Sequence, residues 1–151
     1  MNELMSEWVS GPKYSYKKLN AYKESKILVM TVYKSLGNFP KEETYALCDQ
    51  LRRAVISVPS NIAEGSGRTS PKDQAHFLEM AFGSLMEVDC QIDIAHELYY
   101  ITHEEFDAIN TQISNVAAIL SGMRRKLLGG VNEWKSEWVK EWKYERAFLI
   151  H

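Results

Sequence analysis

Between Gln50 and Arg68 the chain carries two helical signals at once, and together they leave little room for anything but a packed helix. Leu47, Leu51, Ala54, Val55, Val58 and Ile62 recur at helical spacing and mark one buried stripe. At about 100° per residue, Arg53, Ser57, Ser60 and Glu64 fall on the other side as a second, polar stripe. A surface helix needs neither a line of small hydroxyls between an arginine and a glutamate nor a proline, Pro59, within it. Pro59 cannot donate to the carbonyl of Val55, so a bend is expected there. Gly65 is expected to end the helix as a left-handed residue.

Three further helices read from the same periodicity. The first spans about 16–36, with Leu19, Tyr22, Val29, Tyr33 and Leu36 near one face, and Gly37, Asn38 and Pro40 end it. The second begins near Lys41-Glu42-Glu43 and runs to Glu64. Ser70-Pro71-Lys72-Asp73 opens the third with an N-cap and a first-turn proline, and Leu78, Ala81, Phe82, Leu85, Val88, Ile92, Ala95 and Tyr99 face inward. Thr102 and Glu105 form a capping box for the fourth, whose stripe runs from Phe106 to Leu127 and whose last turn holds Arg124, Arg125 and Lys126. No segment shows strand alternation. The expected fold is therefore all-α: an antiparallel up-down-up-down four-helix bundle over 16–128, after a flexible segment at 1–15 and before a C-terminal amphipathic helix or tail at 131–151.

That tail places Val131, Trp134, Trp138, Trp142 and Leu149 on one helical face, with charges that cancel. Three tryptophans are too much apolar area to leave in water, so they are expected to contact the bundle, a neighbouring subunit or a partner. A membrane-surface helix needs a Lys/Arg-rich polar face, which is lacking, and no apolar run approaches the ~18–20 residues that span a bilayer. Cys48 and Cys90 belong to no CxxC pattern and no signal peptide opens the chain, which predicts a cytoplasmic protein with reduced thiols.

The run Phe39-Pro40, Gln50-Leu-Arg-Arg53, Ser57-Val-Pro-Ser-Asn-Ile-Ala-Glu-Gly65 and Phe77-Leu-Glu-Met-Ala-Phe-Gly-Ser84 with Glu87 resembles the four-helix-bundle family of bacterial 23S rRNA intervening-sequence proteins. The resemblance covers about 16–127. It implies a small bundle, usually a ring-shaped homopentamer, without catalytic activity. A related branch, the accessory variability determinant of diversity-generating retroelements, binds nucleic acid through a basic surface. This chain departs from that branch in its net charge of −2. Arg53, Ser57, Pro59, Asn61, Glu64, Gly65 and Glu87 are the structural motif residues on this reading.

Catalytic chemistry finds no support in the residues: there is no nucleophile elbow and no dinucleotide loop. Asp73-x-x-His76 and Asp93-x-x-His96 have a di-iron spacing, but both lie on one helix, so neither metal nor cofactor is expected. Arg53 is expected to pair with a carboxylate such as Glu87, while the serines permit close helix approach. Arg52, Arg68 and Lys72, read as a cluster at the turn between the second and third helices, are the candidate RNA or other nucleic-acid contacts. The expected function is a non-enzymatic homo-oligomeric accessory protein associated with nucleic acid. The alternative is a protein–protein assembly or adaptor module that binds no nucleic acid.

Overall fold

The computed structural model describes residues 15–129, and all regular structure among them is helical. Four α-helices form the body: α1 (Asn20–Leu36), α2 (Leu47–Ser66), α3 (Pro71–Glu97) and α4 (His103–Leu127). Short 3₁₀ turns, Ser15–Lys18 and Lys41–Glu43, precede α1 and α2. What was expected of the N-terminal and tryptophan-rich C-terminal segments lies outside the described residues.

Pairwise contacts give the direction of each helix. Ser57 meets Ser84 while Gln50 meets Gln91, so α2 and α3 run antiparallel. His96 stacks on Phe106 while Arg124 meets Glu79, so α3 and α4 do too. Past the end of α1, the Asn38 amide donates to Glu105 in the first turn of α4 at 3.5 Å, and Phe39 packs on Tyr100. The C-termini of α1 and α3 therefore share one end of the bundle with the N-termini of α2 and α4. The Tyr100 hydroxyl donates to Glu43 Oε1 at 3.2 Å across that end. Its loss of hydration, then that bond to a carboxylate, push the phenol pKa upward.

Leu28, Val32, Leu51, Val55, Val58, Leu85, Val88, Ile92, Ile109, Ile113 and Val116 fill the centre, each fully buried. The predicted caps hold: Ser70 Oγ accepts from Asp73 N–H at 3.0 Å and Thr102 Oγ1 from Glu105 N–H at 3.1 Å.

Four local expectations are corrected. The buried face of α1 is Ala21, Ser25, Leu28, Val32, Ser35 and Leu36, whereas Tyr33 is exposed. Ser25 and Ser35 tolerate burial because their hydroxyls donate to the carbonyls of Tyr22 and Thr31. α2 starts at Leu47, not Lys41, and the Glu43 carboxylate caps it from outside by accepting from Leu47 N–H at 3.3 Å. It continues past Gly65 to Ser66, so the left-handed end expected at Gly65 does not form, and its cap, Gly67, is right-handed.

Tyr99, expected inward, is 93% exposed and takes a left-handed φ of 59° after α3 has ended at Glu97. Tyr100 N–H then reaches back to the Ala95 carbonyl at 2.9 Å, closing a Schellman-type end. A non-glycine residue there stores about 1–2 kcal/mol. Tyr99→Gly should therefore raise the unfolding free energy by about 1 kcal/mol, read from a denaturant midpoint. A lower midpoint would mean that the exposed ring contributes more than the strain costs.

Candidate functional site

Of the polar stripe of α2, Ser57 forms the seam with α3. Ser57 Oγ and Ser84 Oγ lie 2.9 Å apart, so the two helices touch through their smallest hydroxyls. The Asn61 amide donates to the Ser57 carbonyl at 2.9 Å and to its hydroxyl at 3.0 Å, fixing the serine that makes the contact. Ser60 turns away, donating to its own helix at the Ile56 carbonyl. At one end of the seam Gly65 is buried against Phe77; at the other, Gln91 donates to Gln50 and Glu87.

Arg53 and Glu87 occupy facing levels of this seam, since Ser57 pairs with Ser84 and Gln50 with Gln91. The expected ion pair between them does not form: both are exposed, and among the described residues Arg53 has no carboxylate partner. Exposed side chains of this length lose little by staying in water, so the pairing that burial would have enforced is not required.

The candidate nucleic-acid contacts also separate. Arg68 and exposed Lys72 do share the α2–α3 turn. Arg52 sits 16 residues away from Arg68, about 24 Å along the axis, near the opposite end. It is bound there to Asp49 at 3.2 Å and to the Thr44 carbonyl at 3.4 Å. Arg68 is engaged but reachable: Glu64 accepts from it at 2.9 Å, and its guanidinium lies 4.7 Å from the centre of the Phe77 ring, with the side chain still 46% exposed.

Antiparallel packing produces a feature that net charge conceals. Exposed Lys17, Lys18, Arg68, Lys72, Arg125 and Lys126 come from all four corners of the bundle to one end. Arg124, in the same last turn as Arg125, is instead structural: Nε donates to Glu79 Oε1 at 2.6 Å and Nη2 lies 2.6 Å from the same oxygen, with the side chain 13% exposed. Glu42, Glu43, Asp93, Glu97, Glu104 and Glu105 gather at the opposite end. Glu64 and Asp73 also lie at the first end and Lys34 and Lys41 at the second, but cations outnumber carboxylates at the first and carboxylates outnumber cations at the second, so the bundle is polarised along its axis.

Among the described residues no group of three His, Cys, Asp or Glu side chains could hold a metal. His96 is taken up in stacking on Phe106 at 4.0 Å, and half-buried Asp89 is engaged rather than left alone. Cys48 is buried, which pushes its thiol pKa up, and Cys90 is exposed; both are free. No helix among these residues is long and apolar enough to cross a membrane.

Comparison with known proteins agrees with the helical fold. No curated protein matches the chain. Among solved structures, it is similar to a protein of unknown function from the S23 ribosomal protein family of Bacteroides thetaiotaomicron. The two are 21% identical with a TM-score of 0.63 over 70% of this chain and 98% of the other, which speaks for a shared fold. A family model described as 23S rRNA-intervening sequence protein matches residues 17–122, which takes in the whole α2–α3 seam and most of α4. Neither description names an enzymatic activity. With more than half of its length matched, the chain belongs to the 23S rRNA-intervening sequence protein family.

Proposed function

We propose that the protein is a non-catalytic cytoplasmic accessory bundle that assembles with copies of itself, as a ring of five, and associates with RNA through its basic end. The observation that carries this reading is the net excess of exposed cations that the antiparallel helices bring to one end. Copies arranged around an axis parallel to their helices would bring those ends to one face and sum their fields, which a net charge of −2 does not forbid. The name of the family points to an RNA context in the same direction.

Binding of a fluorescent single-stranded RNA should weaken steeply between 50 and 200 mM salt, as counterion release requires. Replacing Arg68 and Lys72 together by Ala should flatten the logarithmic salt slope by about 1.4, at roughly 0.7 per phosphate on single strands. Replacing Lys34 and Lys41, outside the basic end, should leave the slope unchanged. Binding that ignores salt, or that responds equally to both pairs, would return the protein to the rival reading of a protein–protein adaptor. That rival rests on the exposed apolar side chains Tyr45, Ile94, Leu98 and Tyr99 at the acidic end.

The assembly surface proposed here is the outer face of the α2–α3 seam, where Arg53 of one copy would meet Glu87 of the next. Arg53→Ala should leave protomer stability within about 0.5 kcal/mol, as exposed substitutions do, yet lower the mass measured by light scattering. Unchanged mass would place the interface elsewhere.

A further inference from the structure

A groove of about 880 Å³ runs along the outside of the α1–α2 pair. Tyr16, Tyr22 and Met30 form one wall, and Ile56, Pro59 and Ala63 the other. Its surface is mostly apolar, and it holds side chains that a soluble protein rarely leaves uncovered: Met30 is 72% exposed, Ile27 49% and Ile56 42%. The cations that line it, Lys23 and Lys26, both come from α1.

We infer that this groove is the docking site for the chain's own tryptophan-bearing C-terminal segment, folded back on the bundle from which it emerges. Three features of the chain favour that occupant. The first is where the chain leaves: α4 ends at Leu127, at the same end of the bundle as Tyr16 and Ala63, so the segment departs at the groove's end of the bundle, with the N-terminal turn of α1 between. Gly129 there takes a positive φ of 65° with open space around it, which turns the chain away from the axis of α4.

The second is spacing. In helical geometry Trp134 and Trp142 are eight residues and about 12 Å apart, the same interval as Tyr22 and Met30 on α1. A segment running back from the exit travels in the same direction as α1, so the three indoles can follow the groove wall in register. The third is charge. Glu133, Glu137 and Glu141 each precede an indole by one residue, giving a carboxylate line beside the indole line, opposite in sign to Lys23 and Lys26. The stretch from Leu128 to Trp134 reaches at most about 20 Å when extended, enough to pass the N-terminal turn of α1.

The test uses the full chain with Trp8→Phe, so that emission reports only the three C-terminal indoles, and with Cys90→Ser, so that the one exposed thiol is removed. A nitroxide is then attached at Ser60→Cys, an exposed position lining the groove. Indole emission should be blue-shifted before labelling and quenched severalfold after it. Adding Met30→Lys and Ile56→Lys should restore the emission and shift it to that of indole in water, while helical content is retained. Diluting labelled chains into a large excess of unlabelled chains lacking 131–151, under exchange, separates own chain from neighbour. Quenching that persists supports the proposal, and quenching that disappears shows the segment sits on a second copy and overturns it. Emission of solvent-exposed indole with no quenching overturns it as well. None of these readouts depends on RNA.

Discussion

Truncating Leu51 or Ile113 to Ala should each lower the unfolding free energy by about 2–5 kcal/mol. Both side chains are fully buried, and they sit on opposite sides of the core, on α2 and α4. The removed atoms lose their transfer free energy, and the cavity left behind adds a second cost because four helices joined by short turns cannot collapse freely around it. Phe82→Ala should cost less than its size suggests, since that ring is only half-buried at the edge of the core. Denaturant titrations of the three variants decide the matter. Losses below about 1 kcal/mol at both Leu51 and Ile113 would mean the inward faces of α2 and α4 are wrongly placed.

The inward faces of α3 and α4 were legible because they are almost purely apolar and open with side-chain caps. Ser70 and Thr102 announce their helices in the sequence, and both caps form as expected. α1 was harder. Two of its six buried residues are serines satisfied by the preceding turn, so the polar letters interrupted the stripe and tyrosines on the flank looked like its continuation. The end of α3 was misread for a related reason. Tyr99 gives no turn signal, and only the backbone bond from Tyr100 to Ala95 shows that the chain turns left-handed there.

The candidate site divides along the same line. That Ser57 and Ser84 would allow close approach could be read from small residues in register. The partner of Arg53 could not, because periodicity fixes a face but not the distance between two exposed side chain ends. The separation of Arg52 from Arg68 is already contained in the spacing, since 16 residues of helix rise about 24 Å. Polarisation of the bundle needed both helix directions and local charges, since a balanced total says nothing of how the balance is distributed.

Gly65→Val should destabilise the protein by about 3 kcal/mol, the upper end of what overpacking costs. A Cβ built at Gly65 would lie 2.7 Å from the Cβ of Phe77 and 3.5 Å from the Gln74 carbonyl oxygen. The first clash is with an atom fixed by the backbone of α3, so no rotamer change can relieve it, and the two helices must separate instead. Separation would also disturb the Ser57–Ser84 contact and the Phe77 ring over which Arg68 lies. This explains the glycine by close approach, since its own backbone is helical rather than left-handed. The origin of the clash can be isolated with the smaller change Gly65→Ala. In a Phe77→Ala background, which keeps the opposing Cβ, its cost should persist. In a Phe77→Gly background, which removes that atom, Gly65→Ala should become stabilising by about 1 kcal/mol, the ordinary helix preference of alanine over glycine. If Gly65→Ala is already stabilising with Phe77 intact, the α2–α3 seam is looser than its hydroxyl contact indicates, and the glycine is not what sets the distance between the helices.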